Sequence, residues 1–178
     1  MLQIWSVLDG QRLLEVDAET LSGEVLSDLD LAGADLRGAN LRGAQMLWTV
    51  LAGADLRGAD LRDANLAGAD FRGADLRGAV LRCAELTGAN LQDAEAAAAD
   101  LRWASLSCAD LRRADLRGAD LSGADLGAAE LSAADLRGAE LRKADLSCTG
   151  LRGTRFDRHT RWPKGFDPTE SGAVLAAG

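Results

Sequence analysis

The chain has no tyrosine and only one histidine among 178 residues, and its three cysteines stand far apart in sequence. A catalytic site needs convergent groups of differing chemistry. One histidine, His159, and no glycine-rich phosphate loop leave little to build it from, so no catalytic, cofactor or metal site is expected. His159 itself reads as a surface or capping residue. A zinc site needs Cys and His at close spacing, which Cys83, Cys108 and Cys148 do not provide; they are expected as free thiols. No apolar run approaches the roughly 18 residues of a membrane span, and the amino end shows neither a basic region nor a cleavage site. The expectation is a cytoplasmic protein without membrane contact. An excess of positive charge is missing too, since the formal net charge is −8, which argues against direct nucleic-acid binding.

What is present is a period of five. From Leu31 to Phe156 the same register recurs without insertion or deletion, and 22 of its 26 positions are Leu, the exceptions being Met46, Phe71, Ala96 and Phe156. Two residues before each later member stands Ala, except at Thr49, Thr149 and Thr154. A helix advances about 100° per residue, so Leu at every fifth position would spread around the whole cylinder. A straight strand fails because an odd period sends successive Leu to opposite faces. The chain must therefore bend once per repeat. In extended conformation Ala and Leu, two apart, face inward together, while Asp, Arg and Gly face outward, with Gly suited to the corner. Regular bending in one sense gives a solenoid with coils about 4.8 Å apart.

Sorting the outward residue after each Leu by period 20 separates the columns. Arg37, Arg57, Arg77, Arg117 and Arg137 share one, Arg42, Arg62, Arg82, Arg102 and Arg142 another, and the column from Leu47 through Ala67, Thr87, Ser107 and Gly127 to Ser147 has no Arg. Period 15 leaves every column mixed. Four repeats per coil follow, and about six to seven coils.

The pattern Ala-Asp-Leu-Arg-Gly at 34–38, 54–58, 74–78, 114–118 and 134–138 resembles the pentapeptide-repeat family. The resemblance implies an all-β fold, a right-handed four-sided (quadrilateral) β-helix of 20 residues per coil. It implies no single activity. Residues 1–20 read as an amino-terminal capping hairpin, with strands at 2–8 and 11–16 around Asp9-Gly10. Residues 21–156 form the β-helix, its first coil degenerate from Thr20 onward. Residues 157–178 read as a carboxyl-terminal cap, in which Trp162 and Phe166 cover the last coil, followed by a disordered tail over 169–178. Trp-Pro and Gly-Phe-Asp-Pro tails of this kind are familiar in the family. The coil around Ala96 is expected to contain a void, a tighter turn or a kink, since a Leu-to-Ala change costs about 2–5 kcal/mol in a packed core.

Binding is the remaining class of function. Residues 31–156 carry 16 basic and 18 acidic groups, so the rod is almost balanced and ion-pair ladders are expected on its sides. The side without Arg carries Glu85, Asp125 and Asp145 among small residues, with Leu47 and Trp48 near its amino end and Trp103 on a neighbouring corner. Low charge and exposed aromatics are interface features. These six residues are the candidate protein-binding surface of a scaffold or interaction module with an unidentified protein partner. A monomer is expected, with weak dimerisation through an end as the variant. Family members that imitate DNA and bind type II topoisomerases such as gyrase, the quinolone-resistance type, supply the alternative. It calls for a strongly negative rod. An ice-binding face would require a regular Thr array, whereas Thr87 is alone in its column.

Overall fold

The computed structural model describes residues 2–16 and 20–176. Each outward residue before the central Leu pairs in parallel with the residue 20 positions further on, as in Asp35 with Asp55 and Asp55 with Asp75. Four such ladders form four sides. The first begins at Asp35, the second at Asn40, the third at Val25 and the fourth at Asp30. Backbone bonds join neighbouring coils at every repeat: the Leu36 N–H donates to the Asp55 carbonyl (2.8 Å), the Asp55 N–H to the Ala34 carbonyl (2.9 Å) and the Gly38 N–H to the Arg57 carbonyl (2.9 Å). The periodic Leu and Ala fill the interior, and Leu41, Leu51, Leu56 and Leu61 are completely buried, each contributing about 1.5–3 kcal/mol.

Each corner is a four-residue turn, closed at all but the one after Leu26 by one bond, as from the Ala39 N–H to the Leu36 carbonyl at 3.0 Å. Its third residue has positive φ at every corner from Gly23 (φ 71°) to Gly153 (φ 72°), the signature of a type II turn. Non-glycine residues are held in the same left-handed conformation, among them Trp48, Ala98, Trp103 and Lys143. The ladder overrides their local preference, at a cost of about 1–2 kcal/mol each.

The coil around Ala96 shows no kink in its hydrogen bonding. Glu95 pairs with both Asp75 and Asp115, and the Ala96 N–H donates to the Asp115 carbonyl at 2.8 Å, as at other coils. The ladder bonds fix the backbone path even where the inward side chain is small.

At the amino end, β1 (Leu2–Trp5) and β2 (Arg12–Val16) form an antiparallel hairpin with an irregularity between Ile4 and Trp5. Its β1 strand ends earlier than the alternation suggests, and the connection spans residues 6–11. Residues 5–7 pair with the first side through their other edge, while Trp5 stays opposite Arg12 and the Ser6 N–H donates to the Gln11 carbonyl (2.8 Å). Ser6 bridges Ala34 in antiparallel fashion, the Trp5 carbonyl accepts from the Asp35 N–H (2.7 Å), and the Val7 N–H donates to the Gly33 carbonyl (2.7 Å). Among the described residues no coil precedes Asp35 on this side, so the hairpin caps an otherwise open edge.

At the other end one extra residue enters the turn after Phe156, and Glu140 pairs with Arg161. Asp157 holds this longer turn, its Oδ1 accepting from the N–H groups of Gly138, His159 and Thr160. Trp162 meets Phe156 edge-on (5.6 Å between centroids) and stacks on Phe166 (5.4 Å), covering the last coil. The segment expected to be disordered is ordered in part: β4 (Val174–Leu175) pairs in parallel with β3 (Arg155–Phe156). Val174 N–H donates to the Thr154 carbonyl and Ala176 N–H to the Phe156 carbonyl, each at 2.7 Å, because β3 would otherwise present an open edge. Among the described residues no helix is long and apolar enough to cross a membrane.

Candidate protein-binding surface

On three sides most outward carboxylates are paired with Arg, Asp30 and Glu130 on the fourth being exceptions that meet an amide or a hydroxyl donor. Within a repeat, Asp and the Arg two residues on project from the same side, and the Arg fork closes on both carboxylate oxygens. Arg57 donates from Nε to Asp55 Oδ1 (2.8 Å) and from Nη2 to Oδ2 (2.6 Å), and the same clasp joins Asp35 to Arg37, Asp70 to Arg72 and Asp115 to Arg117. Weaker contacts continue to the next coil, as from Arg57 to Asp75 at 3.4 Å. The Arg57 hydrogen bonds hold the Asp55 carboxyl below the ordinary carboxylate range despite partial desolvation.

The third side is built differently. Glu85, Ser105, Asp125 and Asp145 occupy one ladder on successive coils. With Thr, Ser or Gly where Arg stands elsewhere, their carboxylates meet hydroxyls and backbone instead. Asp125 accepts from the Ser107 hydroxyl (2.5 Å) and the Gly127 N–H (2.9 Å). Asp145 accepts from the Ser147 hydroxyl (2.6 Å) and N–H (2.9 Å), and the hydroxyl is the main reason its pKa is lowered. Glu85 accepts from the Thr87 N–H (3.0 Å). Among the described residues none of the three forms an ion pair, and Asp125 and Asp145 are exposed. Their charge is left for solvent or a partner.

Leu47 is half-buried and Trp48 is 65% exposed at the trailing corner of this side. The hairpin, docked on the first side, does not bury Trp48. Val25, 75% exposed, stands one coil before Gln45 on the same ladder and extends the apolar end; periodicity placed it in the first degenerate coil but did not single it out. Trp103, 56% exposed, occupies the leading corner about three coils, or roughly 14 Å, further along.

Both indoles are seated on glycine. A Cβ on Gly68 would lie 2.3 Å from the Trp48 ring, and one on Gly123 would lie 2.4 Å from that of Trp103. Each glycine lies 20 residues after its tryptophan, a spacing legible in the sequence once the coil length is known. Trp103 opens toward the second side, where Ser122, Arg142 and Lys143 share a depression with it. The structure thus groups Glu85, Asp125 and Asp145 on one flat side, places Leu47 and Trp48 at its amino end, and sets Trp103 at its margin against basic neighbours. The three cysteines are exposed free thiols at corners.

These features define a repeat solenoid that offers flat outer sides and capped ends. The chain belongs to the pentapeptide-repeat family, whose repeat model matches in eight copies between residues 21 and 158, and its fold is the right-handed quadrilateral β-helix of that family. Among solved structures it is similar to alr5209, a pentapeptide repeat protein from Nostoc PCC 7120 (42% identity, 55% of this chain and 84% of that chain, TM-score 0.31). It is also similar to HetL, involved in heterocyst differentiation regulation in Nostoc sp. strain PCC 7120 (27% identity, 88% and 87%, TM-score 0.37). A third similar structure is full-length QnrB1, a plasmid-mediated fluoroquinolone resistance protein (19% identity, 86% and 90%, TM-score 0.44). Comparison with curated proteins finds no match.

Proposed function

We propose that this protein is a non-enzymatic interaction module that binds a protein partner through its third side. The observation that supports this reading is the contrast in charge pairing. Carboxylates such as Asp35, Asp55, Asp70 and Asp115 are clasped by Arg, while Glu85, Asp125 and Asp145 meet only hydroxyl and amide donors. A partner bringing Lys or Arg to that side meets carboxylates without first breaking an ion pair, and Leu47 and Trp48 supply an apolar anchor at one end. Trp103 lies at the margin of the same surface.

The test is partner binding by the full chain compared with Trp48→Ala, Trp103→Ala and Asp125→Arg, with Arg57→Ala on the first side as control. Loss in the third-side variants alone is the expected result; retention of every partner by all of them would remove this side from consideration. The rival reading, a DNA mimic acting on a type II topoisomerase, calls for a long run of unneutralised acids, and the Asp–Arg clasps on three sides speak against it. Purified protein is expected to leave gyrase supercoiling unaffected, and potent inhibition would reverse the ranking.

A further inference from the structure

The corner column that holds Trp103 runs Asp63, Cys83, Trp103, Gly123, Lys143. The indole covers Gly123, so the next side chain along the column is Lys143, one of only two lysines in the chain. Lys143 keeps a left-handed backbone (φ 64°) and forms no ion pair among the described residues. Beside it Arg142 engages Glu140 through Nε alone (2.8 Å), with its side chain 70% exposed, which leaves the terminal amino groups free to donate. Together with Ser122 these residues line a depression of about 240 Å³. One coil before Trp103, Arg82 has Val80 where other repeats carry a carboxylate, and it too lacks an ion pair among the described residues. The nearby acids are largely committed: Asp100 is clasped by Arg102, Asp120 lies 3.6 Å from the same Arg, and Glu140 holds Arg142.

We propose that this corner is a docking point for an acidic protein segment carrying an apolar side chain, separate from the acidic third side. The open face of Trp103 takes the apolar group, and Lys143 with the Arg142 amino groups takes the adjacent carboxylate. The ring is held in place before binding, since its other face rests on Gly123, so little side-chain entropy is lost on docking. A nucleic acid fits less well, because phosphate-driven affinity needs several neutralised phosphates and the chain carries a net −8.

Fluorescence polarisation at low salt tests this with labelled probe peptides of about ten residues, one rich in Asp and Glu around a central Phe, one with Lys in place of the acids, and a thymidine oligonucleotide of similar length. The acidic peptide is expected to bind, to weaken about tenfold or more in Trp103→Ala and in Lys143→Gln, and to be unaffected by Asp125→Arg. Lys143→Gln replaces an exposed corner side chain and keeps the test open should Trp103→Ala fold poorly. Equal binding of the Lys peptide, tighter binding of the oligonucleotide, or indifference to both corner substitutions would overturn the proposal. Trp103→Ala enters both tests, so Lys143→Gln, which touches this corner alone, and Asp125→Arg, which touches the third side alone, tell the two readings apart.

Discussion

The benzo ring of Trp103 rests on the α-carbon of Gly123, one coil further along, where a Cβ would lie 2.4 Å from ring carbon Cε3. Trp48 and Gly68 repeat the relationship at 2.3 Å on another corner. Gly123 thus has two duties, tolerating φ of 70° and giving the indole a seat, whereas Gly118 (φ 65°) has open space around its missing Cβ. Gly118→Ala is therefore expected to cost about 1–2 kcal/mol from backbone strain alone. Gly123→Ala should cost more and should also shift Trp103 fluorescence. Chemical denaturation with emission spectra separates the two, and equal costs without a spectral change would show that the indole does not need its seat.

The reverse change should stabilise. Ala98 is held at φ 57° with no glycine to relax the corner. Ala98→Gly relieves left-handed strain, offset in part by the greater freedom of glycine in the unfolded chain, for a net gain of about 0.5–1 kcal/mol. A lower denaturation midpoint for this variant would contradict the strain assigned to the corner.

Thr49 takes the place of an inward Ala and is completely buried, with its hydroxyl donating to the Leu26 carbonyl at 2.8 Å. Thr154 does the same to the Leu131 carbonyl (2.7 Å), but that oxygen also accepts the turn bond from the Ala134 N–H (2.9 Å). Thr49→Val should cost about 1–3 kcal/mol because it strands a buried carbonyl, and Thr154→Val about 1 kcal/mol or less. Thermal unfolding of the pair gives the ranking directly.

The clasped carboxylates set the response to acid. Asp35, Asp55, Asp60, Asp70, Asp75, Asp100 and Asp115 all have pKa values lowered from 3.8, first through the side-chain hydrogen bond from the Arg two residues on. A group whose folded pKa is depressed adds stability that is present above the unfolded value and lost as pH falls through the folded one. The melting temperature should stay level from about pH 8 to about pH 5 and fall steeply below about pH 4. A decline beginning near pH 6 would mean that other groups govern stability.

Much of the candidate surface was legible before the fold was known. The period of 20 that separates Arg37, Arg57 and Arg77 from Leu47, Ala67 and Thr87 also isolates Glu85, Asp125 and Asp145 on the side without Arg, because side-chain direction in a coil follows from position alone. The surroundings of Trp103 were less visible. Lys143 lies 40 residues away in sequence and becomes its neighbour only because Gly123 between them has no side chain.

Sequence alone determined the inward Leu and Ala, the bend at each fifth residue and the four-sided coil, since alternation and steric limits on the backbone act locally and every repeat imposes them again. Tertiary structure alone decided the ends and the seats. Residues 5–7 of the hairpin also pair with Gly33, Ala34 and Asp35, an extra residue brings Arg161 opposite Glu140, and Val174–Leu175 closes on Arg155–Phe156. These contacts join segments outside the repeat, where no period constrains the partner and the unpaired backbone groups of an open coil select whatever strand can reach them.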